Sequence, residues 1–244
     1  MSESTPIGAP SVGIVIPIHN EGDFLLGAID LIAAQLSSVP ASLSLHLVEN
    51  GSTDDTAAVV DAISAEHDWI FAHHLAEANY GGAMRVGFTR ATDAGAEWVV
   101  NFDIDYFSGA FIQDLIGSVQ RADIVIASKR APGSDDRRSI LRRVATFVFN
   151  LILRAALGSG VSDTHGIKAF RREVIDKLAD AVEHNEDLFD TELVLRAERT
   201  GYVIREVPIV VEELRETRSS LLRRVPRTLW GIATLRRSLA RENA

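Results

Sequence analysis

Short apolar runs alternate with amphipathic stretches through the first hundred residues, and this rhythm restricts the fold more than any other feature. The runs are rich in β-branched residues and too short for helices, and they cover residues 12–18, 43–48 and 98–102, with a shorter one near Trp69 to His74. Such runs are typical of parallel strands that are buried on both faces. Helices are predicted between them, around Phe24 to Leu36, around Ala57 to Glu66 and from residue 79 to about Ala94. The order predicts an α/β fold with a single doubly wound, mostly parallel sheet and helices on both faces.

The second half of the chain is less regular, but elements can still be predicted from its pattern. Strands are expected at Asp123 to Ser128 and Tyr202 to Val211, and helices at 139–157, Arg171 to Ala181, Thr191 to Arg199 and Leu221 to Leu239. The sequence contains no internal repeat, low-complexity tract or linker. We therefore expect a single domain over residues 1–244, with a flexible N-terminus at 1–11 and a basic C-terminal tail or helix at 215–244.

The amino-acid composition argues against disulfide-bonded, thiolate-dependent, secreted and membrane-spanning classes of protein. The 244 residues include no cysteine, which excludes a disulfide framework and a thiolate nucleophile. The N-terminal MSESTPIGAPS is polar and acidic, unlike a signal peptide. No apolar run approaches the roughly 20 residues that span a bilayer. We expect a cytoplasmic protein that is soluble or, at most, peripheral at the inner membrane face.

The net charge of −9 is unevenly distributed. Residues 129–154 hold seven Lys or Arg against two Asp, and residues 215–241 hold eight Arg against one Glu. Such segregation favours contact with phosphates or with an anionic membrane, and not nucleic-acid binding; ordinary solvated helix faces are the alternative. The 139–157 helix can be a membrane-facing anchor or a core helix, since its arginines cluster at one end, at positions 137, 138, 142 and 143.

Two carboxylates, Asp103 and Asp105, follow the apolar run that begins at Trp98. In an extended segment, residues two apart project to the same face, so both can point at one position. Two hard oxygen ligands beside a buried strand suit Mg²⁺ or Mn²⁺, which in turn holds a diphosphate. The same carboxyl edge of the sheet is predicted to carry the strand-end residues His19, Asn20, Glu49 and Asn50.

Several segments, taken in order, resemble the family 2 glycosyltransferases: VIPIHNE, VENGSTDDT, NYGGAMRVG, FDIDYF, ASKR, SDTHGIKAFRREV and RETRSSL. The most similar branch is the dolichyl- or polyprenyl-phosphate mannosyltransferase-like one, and the resemblance extends over residues 12–225. It implies a GT-A fold, a nucleotide-diphosphate sugar as donor, a divalent metal and inversion of the anomeric configuration.

The resemblance also implies roles for individual residues. Contacts with the nucleoside are implied for Pro17, Asn20, Glu21, Glu49 and Asn50, and a place near the nucleotide and diphosphate for Asn79 and Arg85. Metal binding is implied for Asp103 and Asp105. Catalytic roles are implied for Ser128 and Lys129 at the active site, for Asp163 and Lys168 in an acceptor-side loop, and for Arg215 and Arg218 near the phosphates.

Departures from the family pattern affect these expectations. The nucleoside pair is usually Asp-Asp, and here it is Glu49-Asn50, which leaves the nucleotide base open. Phe107 stands where the polyprenyl-phosphate enzymes often carry a Gln ligand, so waters and diphosphate oxygens would have to complete a two-carboxylate metal site. The usual Ser-Gly-Phe-Arg segment is altered to HGIK at residues 165–168.

The chemistry of the acceptor decides whether a base is needed. A phosphate monoester is already an anionic nucleophile, whereas a hydroxyl needs a carboxylate within hydrogen-bond reach, and the candidates are Glu186, Asp187 and Asp190. We expect an inverting transferase that moves a hexose from a GDP- or UDP-sugar to a polyprenyl or dolichyl phosphate. The alternative keeps the donor and uses a soluble hydroxyl acceptor, and a third possibility is a catalytically inactive nucleotide-sugar-binding protein.

Five further residues carry weaker signals. His73 and His74 are predicted to pack at a strand end and face solvent, and His165 either contacts the acceptor or lies in a surface loop. Gly81 and Gly82 either cradle a phosphate at a helix N-terminus, which the family pattern favours, or only let the chain turn.

Overall fold

The computed structural model describes residues 9–136, 140–158, 160–161, 166–184, 188–211 and 230–238. In chain order, the strands of these residues are β1 (Ser11–Ile18), β2 (Ser42–Asn50), β3 (Ile70–Leu75), β4 (Trp98–Asn101), β5 (Ile124–Ser128), β6 (Asp135–Asp136), β7 (Lys168–Arg171), β8 (Ile204–Pro208) and β9 (Val210–Val211).

The helices of the same residues are α1 (Gly22–Leu36), α2 (Thr56–Glu66), α3 (Tyr80–Asp93), α4 (Gly109–Ile116), α5 (Ile140–Leu157), α6 (Arg172–Leu178), α7 (Phe189–Arg199) and α8 over 230–238. A single 3-10 turn, Ala179–Ala181, follows α6. None of the described helices is long and apolar enough to cross a membrane.

The main sheet has the order β3-β2-β1-β4-β7-β5-β8, and β6 pairs separately with β9. Every pairing within it is parallel except those of β7, which runs antiparallel to both β4 and β5. The strand order turns back between β1 and β4, because β2 and β3 extend one way from β1 and β4 extends the other. In an open α/β sheet, the crevice outside the carboxyl ends of the strands at such a reversal is where ligands bind.

The predicted α/β class is confirmed, and most predicted elements lie within a few residues of their observed positions. Two predictions were wrong in detail. The strand β7 was missed, since the helix predicted from Arg171 begins at Arg172 and is preceded by Lys168–Arg171. The single strand predicted over Tyr202 to Val211 is two strands, β8 and β9, that pair with different partners. The helix predicted over 221–239 is described only at 230–238, where it is helical.

Alternation along the central strands explains why helices cover both faces of the sheet. Ile14 and Ile16 pack into one buried cluster, which also includes residues of α1, α2 and α4. Val15, between them, packs into a second cluster with residues of α3, α6 and α7. Adjacent residues of a strand point to opposite faces, so one continuous apolar run supplies both cores. The predicted two-sided arrangement of helices is therefore confirmed.

One glycine is required where the β2 loop meets the loop that follows β3. Gly51 has a φ of +61°, a conformation in which side chains other than Asn and Asp are strained. A Cβ atom at this position would lie 2.5 Å from the Ala78 nitrogen and 2.6 Å from the Glu77 carbonyl carbon. The two backbones can approach only because residue 51 has no side chain. This approach brings the carboxyl ends of β2 and β3 together.

Candidate active site

Hydrogen bonds from side chains join the loops after β1 and β2. Asn20 adopts a φ of 55°, and its side-chain oxygen accepts a hydrogen bond from the Thr53 N–H at 2.8 Å. The Asn20 N–H donates to Ser52 Oγ at 3.1 Å, and His19 Nδ1 donates to the Asn50 carbonyl at 2.8 Å. Left-handed backbone is tolerated by Asn better than by most residues. Asn20 therefore links the loop after β1 to the loop after β2 by hydrogen bonds.

Glu49 lies at the end of β2 and is almost completely covered, with 4% of its surface exposed. Its Oε1 accepts a hydrogen bond from the Ser52 N–H at 2.5 Å. Its Oε2 lies 3.4 Å from His74 Nδ1 of β3. His74 Nε2 in turn lies 2.9 Å from the Asp61 carboxylate of α2. The orientation of the Glu49 carboxylate is thus set by groups from three different elements.

Asn50 and Asn79 connect β2 to the start of α3. The Asn50 side-chain oxygen accepts a hydrogen bond from the Asn79 N–H at 2.6 Å. The Asn79 side-chain oxygen then accepts one from the Gly82 N–H at 2.9 Å, which caps the helix. Because this cap already uses the Gly82 N–H, the expectation that Gly82 helps to cradle a phosphate is not supported.

Arg85 is engaged away from the loops that follow β1 and β2. Its guanidinium donates to the carbonyl of Ala179 and, at 2.7 Å, to that of Val182. It also stacks over the ring of Phe189, 5.2 Å from the ring centre. These contacts join α3 to α7 and to the turn after α6, so a role for Arg85 near the diphosphate stays a prediction.

Asp103 and Asp105 lie in a tight turn that follows β4. The Tyr106 N–H donates to the Asp103 carbonyl at 3.0 Å, and these two residues form an isolated bridge. Ile104, between the carboxylates, is 8% exposed and belongs to the core. The extended geometry expected for this pair was therefore wrong: strand β4 ends at Asn101. The turn brings the carboxylates together by anchoring the apolar residue between them.

Lys168 was expected in a loop and instead lies in β7, fully buried at 0% exposure. Its Nζ lies 2.5 Å from Asp190 Oδ2 and donates to the Gly166 carbonyl at 3.0 Å. Its N–H donates to the Asn101 side chain of the adjacent β4 at 3.1 Å. The missed antiparallel strand thus inserts a lysine between β4 and β5. Asp190 is bonded through Oδ2 to this lysine and through Oδ1 to the Thr191 N–H, at 2.8 Å.

Burial and nearby negative charges raise the pKa of Asp103 to about 6. Burial of the carboxylate among protein groups is the largest cause, and the negative charges of Asp105 and Asp190 add to it. The positive charges of Lys168 and Lys129 oppose this effect without cancelling it. Asp103 as a residue is nonetheless exposed to solvent. These five side chains therefore form one electrostatic cluster, which we call the acidic cluster, and it has an excess of negative charge.

The acidic cluster has the donors that a divalent cation needs. Among the described residues, no three His, Asp or Glu side chains form a complete metal site. Mg²⁺ is commonly held by one or two carboxylates, with substrate phosphates and water as its other ligands. Asp103 and Asp105 match that donor set, and a bound cation would offset the negative charges of Asp105 and Asp190, which add to the rise of the Asp103 pKa that burial causes. The carboxylates of Asp103 and Asp105 therefore fit a divalent cation such as Mg²⁺ or Mn²⁺.

The remaining predicted residues are distributed as follows. Pro17 lies in β1. The last residue pair between β1 and β4 is Val15 with Asn101, so Pro17 lies beyond the β4 ladder, where its missing N–H does not interrupt the sheet. Glu21 lies at the start of α1, and its N–H donates to Thr56 Oγ1 at 2.9 Å. Ser128 ends β5 and is fully buried, with its Oγ accepting from the Arg130 N–H. Outside the described residues lie Asp163, His165, Glu186, Asp187, Arg215 and Arg218, whose roles stay predictions.

His74 was underestimated from sequence, and His184 and Glu192 were not singled out. His74 contacts Glu49, although it was expected only to pack and face solvent. His184 Nδ1 lies 2.6 Å from Glu192, a fully buried residue of α7 that also binds Arg196. Glu49 and His74 are brought together by the pairing of β2 with β3, which no local pattern signals. The position of His74 at a predicted strand end, shared with Glu49, was the one available signal.

Comparison with known proteins gives an independent view of the chain. The sequence profile of the family described as "Glycosyl transferase family 2" matches residues 13–179. Glycosyltransferase AglD of Haloferax volcanii is 29% identical over an alignment of 249 positions, which covers 95% of this chain and 39% of AglD. The undecaprenyl-phosphate mannosyltransferase of Micrococcus luteus is 28% identical over 213 residues, 84% of this chain and 86% of that enzyme.

A third relative covers less of the chain. The undecaprenyl-phosphate 4-deoxy-4-formamido-L-arabinose transferase of Yersinia pestis is 26% identical over 183 residues, 73% of this chain. This chain spans 53% of that enzyme, and so about half the length or less of two of these three relatives.

Solved structures show the same fold. Glucosyl-3-phosphoglycerate synthase from Mycobacterium tuberculosis, in complex with Mn²⁺, UDP and glucosyl-3-phosphoglycerate, superposes with a TM-score of 0.65 at 19% identity. The match covers 95% of this chain and 80% of the synthase. At this identity the likeness concerns the fold alone, and it confirms the expected GT-A architecture. With the profile matched over more than half of its length, the chain belongs to glycosyl transferase family 2.

Proposed function

We propose that this protein is an inverting, metal-dependent glycosyltransferase that moves a hexose from a nucleotide-diphosphate sugar to a polyprenyl phosphate. The observation that carries the proposal is the position of the acidic cluster, beside the strand reversal between β1 and β4. The bonded loops after β1, β2 and β3 flank the same crevice. The names of two relatives support the acceptor, since both are undecaprenyl-phosphate transferases.

The strand-end residues of this sheet edge suit the nucleoside of a nucleotide sugar, and the acidic cluster suits its diphosphate. The strand-end residues Glu49, Asn50 and Asn20 offer carboxylate and amide groups, which suit the hydrogen-bonding groups of a base and ribose. Asp103 and Asp105 would hold Mg²⁺ or Mn²⁺, which when bound supplies positive charge to the departing diphosphate. Lys129 adds a positive charge close to Asp103, where it can stabilise the same leaving group.

The state of Asp190 favours a phosphate acceptor. A hydroxyl acceptor requires a base that is within reach and free to take a proton. Of the candidate bases, Asp190 is the one within the described residues, and it is bonded to the Lys168 ammonium and to the Thr191 N–H. A phosphate monoester needs no such base, because its oxygen is already anionic. Its attack on the anomeric carbon, opposite the breaking bond to the diphosphate, would invert the configuration.

Helix α5 has a surface that suits an anionic membrane. Val144, Phe147, Val148 and Leu151 recur at helical spacing and are 45% to 55% exposed, so they form an exposed apolar stripe, which we call the α5 stripe. Ile152, Ala156 and Leu157, in the C-terminal half of the helix, pack with residues of α7 and α8. Arg130 lies over the Phe147 ring at 5.0 Å, and the sequence supplies further arginines at 137, 138, 142 and 143.

An exposed apolar stripe with basic residues close to it in sequence is typical of helices that lie in a membrane interface. A polyprenyl phosphate presents its phosphate at that interface. Docking of the α5 stripe on the inner membrane face would therefore bring the enzyme to its acceptor. We propose a peripheral membrane contact through this helix.

A soluble acceptor is the second candidate. The similar folds of known structure include complexes with phosphoglyceric acid and with glycerol 3-phosphate, and the described helices contain none that could cross a membrane. A small phosphorylated acceptor would use the same donor site and the same cation.

The proposal can be tested in one assay series. Thermal shifts with a panel of UDP- and GDP-hexoses and Mn²⁺ should identify the donor. That donor is then incubated with a short-chain polyprenyl phosphate or with soluble acceptors, and products are separated by organic extraction. Labelled sugar in the organic phase is the expected result. Transfer only to soluble acceptors would support the second candidate, and no shift with any nucleotide sugar would contradict the donor assignment.

A further inference from the structure

Three elements meet at the Glu49 carboxylate through His74. The ring bridges Glu49 Oε2 of β2, at 3.4 Å, and Asp61 Oδ1 of α2, at 2.9 Å. The Glu49 side chain is 6% exposed, whereas those of His74 and Asp61 are 39% and 66% exposed. The ring is thus the outer support of a carboxylate that is otherwise covered.

The bridge has a defined protonation requirement. A neutral imidazole has one N–H donor and one acceptor, so it can donate to only one of two carboxylates. Both carboxylates receive a hydrogen bond only when the ring carries two protons. Burial by itself would lower the His74 pKa, but the hydrogen bonds and charges of Asp61 and Glu49 outweigh it and raise the pKa above its ordinary value of 6.5.

We propose that His74 is a positioning residue for nucleoside recognition, which holds the Glu49 carboxylate in the orientation that meets the base or ribose. This inference rests on the proposed nucleotide site at the end of β2. Oε1 is already fixed by the Ser52 N–H, and His74 fixes Oε2. A carboxylate has about four lone-pair positions, so both oxygens keep capacity for a ligand.

Electrostatics around the ring sets the expected pH dependence. The charged groups that face it are Glu49 from β2 and Asp61 from α2, and on its own strand it adjoins His73, which also faces Arg90 from α3. As pH rises through the raised His74 pKa, the ring loses a proton and must release one carboxylate. The contact with Glu49 is the longer one, so it is the one expected to be lost. Nucleotide affinity should fall over that pH range.

Two amide variants separate the two arms of the bridge. The side-chain nitrogen of Asn can occupy the place of the imidazole Nδ1, and that of Gln the place of Nε2. His74→Asn therefore keeps a donor for Glu49, whereas His74→Gln keeps one for Asp61. A structural role at the surface would not distinguish these two changes.

The experiment is calorimetric titration with UDP and with GDP in the presence of Mn²⁺, using whichever binds the wild type more tightly. His74→Ala and His74→Gln should weaken binding about tenfold, as expected when a hydrogen bond to a charged group is lost. His74→Asn should stay within about threefold of the wild type and lose the fall in affinity above pH 6.5. His67→Ala, at the other end of the β3 region, is the matched control and should bind like the wild type.

Failure of this inference can be told apart from failure of the proposed function. If Glu49→Gln weakens binding and all three His74 variants bind like the wild type, the positioning role is overturned while the nucleotide site stands. If Glu49→Gln binds like the wild type, or if the wild type binds neither UDP nor GDP, the proposed nucleoside site is overturned and the role of His74 with it.

Discussion

The Lys168 ammonium lies 2.5 Å from the Asp190 carboxylate, and the two join the antiparallel strand β7 to helix α7 in the interior. Their charges also act on Asp103, so the pair belongs to both the core and the acidic cluster. Burying an ion pair is costly, but leaving one of its charges alone is costlier still. The pair is therefore a point at which stability and the site depend on the same atoms.

Replacing the lysine should show this dependence. Lys168→Met leaves Asp190 buried without its cation and should lower the free energy of unfolding by about 3–5 kcal/mol. Urea denaturation measures this value. Lys168→Met combined with Asp190→Leu should recover much of the loss, because no charge is then left unpaired. Lys177→Met, which breaks an exposed pair with Glu173, is the control and should change little. A Lys168→Met protein as stable as the wild type would refute the role of the pair.

Acid should destabilise the protein through His46. Burial, and then the charge of His73, lower the pKa of His46 from 6.5 to about 4. Below pH 6.5 the unfolded chain binds this proton and the folded protein does not, so stability falls as pH decreases, until the folded pKa is reached. The loss from this group is at most about 3 kcal/mol. His73, whose pKa is also lowered, acts in the same direction, and His74, whose pKa is raised, acts in the opposite one.

The contribution of His46 can be isolated by comparison. Free energies of unfolding are measured at pH 7, 5 and 4 for the wild type and for His46→Gln. The wild type should lose more stability on acidification than the variant. Equal losses in the two proteins would contradict a neutral, buried His46.

Two buried asparagines, Asn150 and Asn101, allow the stability effect of an unsatisfied buried amide to be compared with that of a hydrogen-bonded one. Within the described residues, both side-chain polar atoms of Asn150 in α5 have no hydrogen-bond partner, whereas the Asn101 oxygen accepts from the Lys168 N–H. An unsatisfied buried polar group costs about 1–3 kcal/mol, and Ala also favours the helix. Asn150→Ala should thus raise the melting temperature, and Asn101→Ala should lower it. A lower melting temperature for Asn150→Ala would mean that its amide stabilises the fold.

Membrane contact through the α5 stripe predicts a specific loss of vesicle binding. Phe147→Glu places a charge in the centre of the stripe and should abolish sedimentation with vesicles that contain anionic lipid. Leu31→Glu, at a position of α1 that is 63% exposed, is the control and should sediment like the wild type. Wild-type sedimentation of Phe147→Glu, or no sedimentation of the unmodified protein, would refute the proposed contact.

Much of the fold could be predicted because the central strands are continuous apolar runs, which can be recognised in the local sequence. The run from Val12 to Ile18 is apolar at every position but Gly13, since its two faces enter two different cores. The strand β7 could not be found in this way. It is four residues long, contains a lysine and an arginine, and is a strand because β4 and β5 pair with it on both sides. Its pairing is tertiary information that no local period contains.

The site was predictable to a similar degree. Glu49, Asn50, Asp103 and Asp105 follow apolar runs, so strand topology alone places them at one edge. The carboxylate pair is nonetheless presented by a turn around the buried Ile104 and not by an extended strand. The bridge from Glu49 through His74 to Asp61 joins residues of three elements, and the sequence carries no sign of it beyond a histidine at a strand end.

The central claim is that Asp103 and Asp105 hold the cation that makes the diphosphate leave. The most direct test measures transfer of labelled hexose to a short-chain polyprenyl phosphate by the wild type and by Asp105→Ala, with Mn²⁺ and with excess EDTA. Circular dichroism and a melting curve establish that the variant is folded. The account predicts lipid-linked sugar from the wild type with Mn²⁺, and none from folded Asp105→Ala or from the wild type in EDTA. Undiminished transfer by Asp105→Ala, or by the wild type in EDTA, would contradict it.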